Sequence, residues 1–408
     1  MSDVDHIAAG IVPRMTGADG DLIANALSFA RAHLGMEVAY LARVAGDQLI
    51  FEVVIAPGLE DVVDVGRSLP FADTISRQVW LGHLPPMIAD IEDYPQMKGL
   101  PVLQSIAVRA QVSVPITRPD GSLYGMFCCF DRAPCPTLNS RDLEVLRAFA
   151  SLSSDQINRR LGVEAAVRAK RLAIEKVLDH QAFDIALQPI KSLRDQSTTG
   201  FEALCRFSPT PYRSPNIWFD DAAEAGLQVS LELRVIEAAL TLLPRLPDAS
   251  YLAVNTSPAT LASGKIAALL AGYDGARVVI EITEHAEIGD IDAMLLSIDR
   301  LRELGVRIAI DDAGAGYSGL QQIIRLHPDI IKLDMSLTQD VDKDLARRSL
   351  ASAMVRFAQD TNARVVAEGI ETEAELRTLR TIGIEMGQGY HLARPGLAQD
   401  VLDLAKTA

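Results

Sequence analysis

The chain has 408 residues, of which 49% are hydrophobic and 23% charged; this balance excludes a disordered or low-complexity chain, and at roughly 150 residues per domain it provides for two or three cores. The formal charge of −15, with no long block of like charge, argues against DNA or RNA as a partner, although a bound divalent cation would let the surface accept a small anion. Residues 1–6 are acidic and lack a signal-peptide core, no apolar run reaches the ~18 residues of a membrane span, and the four cysteines have neither zinc nor disulfide spacing; these features read as a reduced, cytoplasmic protein.

Residues 21–34 carry apolar side chains at helical spacing. Strands are expected at 38–44 and 49–55, joined by a turn at Gly46-Asp47, followed by a helix over 74–81 and a loop rich in Pro and Gly from 82 to 100. Segments 112–117 and 123–130 then read as a hairpin around Pro119-Asp120-Gly121-Ser122. The pattern is that of an α+β domain with an antiparallel sheet. From Asn139 to about Asp179 there is no proline and one glycine, Gly162. Two readings are open here: the last helix of one domain followed by the first of the next, or one continuous helix that pairs with its twin in a dimer. The division expected is a tail over 1–20, a first domain over 21–155, a helical linker over 156–179 and a second domain over 180–404.

After Phe183 short apolar runs alternate with helical segments. The runs cover 185–190, 200–207, 251–255, 278–281, 308–312, 330–334, 365–368 and 389–392. Eight strands in this array predict a TIM-type α/β barrel, with an open doubly wound sheet as the alternative. Several runs end in an oxygen-bearing side chain: Asn255, Glu281, Asp311-Asp312, Asp334 and Glu368, with Glu202 early in its own run. The C-terminal strand ends of a barrel converge on one mouth, where these carboxylates would repel one another without a cation between them. Hard oxygen ligands without clustered His or Cys favour Mg²⁺ or Mn²⁺, and an Asp-Asp pair suits a two-metal centre for phosphoryl displacement. Lys332 is a further charge borne on a strand. From the residues alone a metal-dependent phosphodiesterase and an enolase-like proton abstraction both remain open.

Phe201-Glu202-Ala203-Leu204-Cys205-Arg206-Phe207, preceded by Gln188-Pro189-Ile190, resembles the signature of the EAL family of cyclic di-GMP phosphodiesterases. Val254-Asn255-Thr256-Ser257-Pro258, Glu281-Ile282-Thr283-Glu284 and Asp311-Asp312-Ala313-Gly314-Ala315-Gly316-Tyr317-Ser318 resemble further motifs of that family. Lys332-Leu333-Asp334, Glu368-Gly369-Ile370-Glu371 and Gln388-Gly389-Tyr390 complete the set in order, and the resemblance covers about residues 170–404. It implies a modified TIM barrel that hydrolyses one phosphodiester of cyclic di-GMP to linear pGpG with Mg²⁺ or Mn²⁺, two ions being expected. Glu202, Asn255, Glu281 and Asp311 would hold one metal; Asp311, Asp312 and Glu368 would serve the second. Glu368 would act as general base, and Lys332 would orient water or phosphate. Arg206, Gln388 and Glu371 would contact substrate, while Glu284 and Asp334 would support the surrounding loops. The chain departs from the family pattern at Ala313, where an aromatic residue is usual, and at Ala315, where a threonine is. No GG(D/E)EF cyclase motif occurs.

The first domain resembles a GAF sensor module in its helix–strand–strand start, its Leu69-Pro70-Phe71-Ala72-Asp73-Thr74 segment and its closing hairpin. That resemblance implies an unidentified small ligand or a dimerisation role, with a homodimer formed through the linker helix and the barrel. The expected function is therefore a regulated cyclic di-GMP phosphodiesterase; the alternative is a catalytically silent receptor that signals by binding the same nucleotide.

Overall fold

The computed structural model describes residues 18–283, 291–313 and 325–405. The chain divides into two compact units, Met1–Ala165 and Ala166–Ala408. In the first, strands β1 (Val38–Ala45), β2 (Gln48–Ile55), β3 (Ser68–Pro70), β4 (Met87–Ile88), β5 (Ala110–Thr117) and β6 (Leu123–Asp131) form one antiparallel sheet, open at both edges, in the order β3-β2-β1-β6-β5-β4. Period-two alternation divides its side chains between two cores. Val38, Tyr40 and Ala42 of β1 join Met126, Cys128 and Phe130 of β6 on one face. Ala39 and Leu41 join Phe127 and Cys129 on the other, beneath Ile23 and Leu27 of the helix Ala18–Leu34. Gly125 pairs with Arg43 of β1, and a Cβ there would collide with the Ala42 carbonyl.

The segment that left two readings open is one helix, Ser140–His180. Its first half buries Leu146, Ala150 and Ile157 in the first unit, and its last turns bury Ile174 and Val177 in the core of the second.

The second unit is a closed barrel of the TIM kind. Its strands are β7 (Phe183–Ser192), β8 (Thr198–Phe207), β9 (Tyr251–Thr256), β10 (Val278–Thr283), β11 (Arg307–Ala313), β12 (Ile330–Leu333), β13 (Arg364–Ala367) and β14 (Met386–Gly387). Neighbours from β8 to β14 run parallel, whereas β7 is antiparallel to both β8 and β14 and closes the ring. A short β15 (Gly396–Leu397) pairs antiparallel with β7 at Ala186 and Leu187. Two expectations are corrected here. The last barrel strand is Met386–Gly387 rather than 389–392, because Gly389 begins a tight turn whose carbonyl accepts from Leu392 N and Ala393 N. The strand expected at 330–334 stops at Leu333, since Asp334 caps the next helix through a hydrogen bond from Ser336 N to its Oδ1 at 2.9 Å.

Strand parity explains where the site lies. Ile190, Tyr251, Ala253, Val279, Ala309, Ile330, Val366 and Met386 point inward and plug the barrel axis. Their neighbours in sequence, such as Leu252, Ile280, Ile308 and Ile331, point outward beneath the helices. Two positions beyond Ala253, Val279, Ala309, Ile330, Val366 and Met386, toward the mouth, stand Asn255, Glu281, Asp311, Lys332, Glu368 and Gln388. Thus one apolar layer supports one polar layer. In the reversed strand β7 the same step runs backwards, from Ile190 to Gln188, which lies opposite Glu202 in the ladder.

Candidate metal centre

Lys332 is the hub of this layer. Its Nζ lies 2.9 Å from Glu281 Oε2, 3.0 Å from Asp311 Oδ1, 2.8 Å from Glu368 Oε1 and 3.5 Å from Glu202 Oε2. The side chain is 1% exposed, so water does not screen these interactions. One ammonium among four carboxylates leaves a formal excess of three negative charges. Gln388 Nε2 donates to Glu202 Oε2 at 2.7 Å and to Glu368 Oε1 at 2.9 Å. Asn255 Nδ2 donates to Glu202 Oε1 at 2.9 Å.

The protonation pattern follows from burial and partners. Burial opposes ionisation of Glu202, but Lys332, Gln388 and Asn255 together outweigh it and hold its pKa below the usual value. Burial dominates at Glu281, which Glu202 and Asp311 also disfavour, so its pKa is raised well above the usual range. Glu368 is pushed up to about 8 by burial, against the pull of Lys332 and with the help of Asp311. Burial likewise opposes the charge on Lys332, yet Asp311, Glu202, Glu281 and Glu368 overcome it and keep the ammonium protonated.

The donor set fits hard divalent cations. Glu202, Glu281 and Asp311 offer oxygens within 4.8 Å of one another, as do Asp311, Asp312 and Glu368, with Asp311 common to both groups. Two consecutive aspartates reach one site because the strand is irregular between Ile310 and Ala313 and Asp312 takes a left-handed backbone at φ 55°. The irregularity also reverses parity, turning Ala313 outward into the core beneath the helices, where it is fully buried. Gln388 Oε1 is buried without a hydrogen-bond partner, which is the signature of a polar ligand still to be supplied.

The remaining expected site residues stand apart from this cluster. Arg206 lies on the same face of β8 as Glu202, four residues or ~13 Å nearer the mouth, and its Nη1 donates to the Cys205 carbonyl. Glu371 is exposed on the rim, and its backbone N–H donates to Glu375 Oε2 at 3.0 Å. Asp334 serves as the cap described above. Glu284 lies outside the described residues, as does Ala315. A residue missing from the expected set is Gln188, buried in the polar layer with its Nε2 3.3 Å from the Ala393 carbonyl. Its opposition to Glu202 across the β7–β8 pair was the signal that would have found it.

Residues 171–395, more than half of the chain, match the EAL domain family. The chain belongs to that family. It is 32% identical over 234 residues to the cyclic di-GMP phosphodiesterase NbdA of Pseudomonas aeruginosa, which covers 54% of this chain and 30% of that protein. It is 29% identical over 241 residues to the bifunctional diguanylate cyclase/cyclic di-GMP phosphodiesterase MucR of the same organism, covering 56% of this chain and 35% of MucR. The chain thus spans about a third of the length of these relatives. Among solved structures, the EAL barrel resembles the PaMucR phosphodiesterase in complex with cyclic di-GMP, with 28% identity, a TM-score of 0.51, and coverage of 56% of this chain and 97% of that one. Among the described residues, no helix is long and apolar enough to cross a membrane.

Proposed function

We propose that this EAL barrel is a Mg²⁺- or Mn²⁺-dependent phosphodiesterase that opens cyclic di-GMP to linear pGpG. The observation that carries the reading is the polar layer itself, in which the buried carboxylates of Glu202, Glu281 and Asp311 and the half-buried one of Glu368 share a single ammonium and two ligand groups share Asp311. Similarity to NbdA and to the cyclic di-GMP complex of PaMucR supports the substrate. Glu202, Asn255, Glu281 and Asp311 would hold one ion, and Asp311, Asp312 and Glu368 a second. Bound there, divalent ions would activate water and neutralise charge developing on the phosphoryl oxygens.

The chain's own groups supply the rest. Burial pushes the pKa of Glu368 up to about 8 without metal, so near neutral pH it would serve as the base for the attacking water only once bound cations had lowered that pKa and ionised it. Gln388 and Lys332 fix the Glu368 Oε1 atom from two directions. Lys332 stays charged and acts as the permanent counter-ion that orients the ligand carboxylates. Arg206 and Glu371 would meet the nucleotide further up the mouth.

We read the first unit as a GAF-like sensor that regulates the barrel through an unidentified small ligand, with a homodimer forming through the helix Ser140–His180 and the barrel. Its open antiparallel sheet and helix–strand–strand start support this reading. The catalytic proposal is tested with Glu202→Ala and Asp311→Ala: both should lose turnover while keeping the wild-type circular dichroism. Retained hydrolysis in either overturns it. Comparing the full chain with a truncation starting at Ala166, with sedimentation of each, tests regulation and dimerisation.

A further inference from the structure

The helix Gln228–Leu240 buries Leu231, Ile236 and Ala239 in the core it shares with Leu252 and Val254 of β9. Among these apolar side chains stands Glu232, only 6% exposed. Its Oε2 accepts from Ser257 N at 2.8 Å, from Ser257 Oγ at 2.9 Å and from Thr256 Oγ1 at 3.4 Å. Burying a carboxylate between a helix and a strand costs desolvation unless hydrogen bonds offset it. Here all three bonds go to the two residues that follow Asn255. The Ser257 hydroxyl donates to Glu232 and accepts from Thr260 N at 3.3 Å, so the same contact also caps the helix Pro258–Ala262.

The end of β9 needs such a hold. The ladder from β8 reaches β9 only as far as the pair Ala203–Val254. Asn255 is therefore paired on one side alone, with Glu281 of β10. Parity turns Asn255 into the polar layer and Thr256 the opposite way, toward the helices. Asn255 Nδ2 donates to Glu202 Oε1 at 2.9 Å, which leaves its Oδ1 as the ligand atom. Fixing Thr256 and Ser257 fixes the peptide that follows Asn255, and with it the direction of that oxygen. Glu232 thus does from the helix layer what the β8 ladder no longer does at this point.

We infer that Glu232 is the positioning residue for Asn255: it touches neither ion nor substrate, and aims the asparagine oxygen by clamping residues 256 and 257. The inference rests on the reading of Asn255 as a metal ligand and adds the group that orients it. Removing an outer partner that orients a metal ligand lowers metal affinity by about 10- to 100-fold.

The test is a double-mutant cycle on the full chain, read as Mn²⁺ affinity by calorimetry. Glu232→Met should weaken Mn²⁺ binding by about 10- to 100-fold, whereas Glu232→Gln, which keeps an acceptor oxygen for Ser257, should recover most of the loss. In an Asn255→Ala background, Glu232→Met should change the affinity by about twofold or less, because the group it orients is gone. A metal-free readout accompanies it: in EDTA, the Asn255 side-chain amide resonances should shift in Glu232→Met and return in Glu232→Gln. If Glu232→Met does not fold, Ser257→Ala, which removes the hydroxyl at the other end of the contact, takes its place in the cycle. Unchanged affinity in the single variant, or an equal loss with and without Asn255, overturns the positioning role while the metal centre stands. Wild-type protein that binds no Mn²⁺ removes both.

Discussion

Replacing Lys332 with Met tests the electrostatic logic of the polar layer. Methionine keeps the length and apolar stem of the side chain and deletes the one positive charge. In the metal-free protein that charge meets four carboxylates at 2.8–3.5 Å and is shielded from water. Removing one partner from a buried ion pair costs about 3–5 kcal/mol, which for a unit of this size lowers the melting temperature of the barrel by roughly 6–20 °C. The sign of the pH dependence follows from Glu368. A carboxyl with an unfolded pKa of 4.5 raised to about 8 on folding contributes stability that is complete below the unfolded value and is lost as pH rises through the folded one. Loss of Lys332 raises the folded pKa of the cluster further, so the deficit of the variant should be larger at about pH 8 than at about pH 5. Saturating Mn²⁺ should recover part of it by binding only the folded state, about 2.7 kcal/mol at a hundredfold excess over Kd. Thermal unfolding followed by near-ultraviolet circular dichroism in EDTA, at both pH values, then with Mn²⁺, measures each step. If Lys332→Met melts with the wild type in EDTA at both pH values, the carboxylates are not a mutually repelling set held by this ammonium.

Three further outcomes follow from the same geometry. Glu202→Gln removes a carboxylate oxygen from the set offered by Glu202, Glu281 and Asp311 and should lower turnover by roughly a hundredfold or more, with Mn²⁺ affinity falling in calorimetry; unchanged affinity would contradict its role as a ligand. Metal binding requires Glu368 to lose its proton, so Mn²⁺ affinity should rise from about pH 6 to about pH 9 with net proton release, detected by calorimetry in buffers of different ionisation enthalpy. A flat profile with no proton release would count against the assignment. Gly389→Ala places a Cβ against the Ile370 backbone and should displace Gln388, cutting activity about tenfold or more with about 1–3 kcal/mol lost in stability; wild-type activity would show that the turn is not a rigid support.

The barrel was legible because its strands are buried on both faces and read as short apolar runs, each ending where the parity turns from plug to polar layer. The oxygen-bearing side chains from Asn255 to Glu368 stood out for that reason. The last strand was misplaced because Met386–Gly387 has no β-branched run to mark it, while the Tyr390–Leu392 segment, though apolar, is tied into a turn by the Gly389 carbonyl. Asp334 ends its apolar run as the candidate ligands do, but it was expected to support a loop, and a short helix follows immediately and uses it as a cap. What spacing does not reveal is the reach of Lys332: a lysine in an apolar strand signals function, but its contact with four acids needs the barrel closed. The joint reach of Asp311 and Asp312 was equally hidden, since it depends on the irregularity at 310–313 and a left-handed Asp312. Gln188 escaped because β7 runs against its neighbours, which inverts the step from plug to polar layer.

Hydrolysis of cyclic di-GMP by the purified full chain, with Mg²⁺, with Mn²⁺ and with EDTA and with the products resolved by chromatography and mass, decides whether the polar layer is a catalytic metal centre. Linear pGpG should form only with a divalent ion, and EDTA or Asp311→Ala should abolish it. Hydrolysis that persists in EDTA, or nucleotide binding without turnover in either metal for both the full chain and the barrel from Ala166, would contradict a catalytic metal centre.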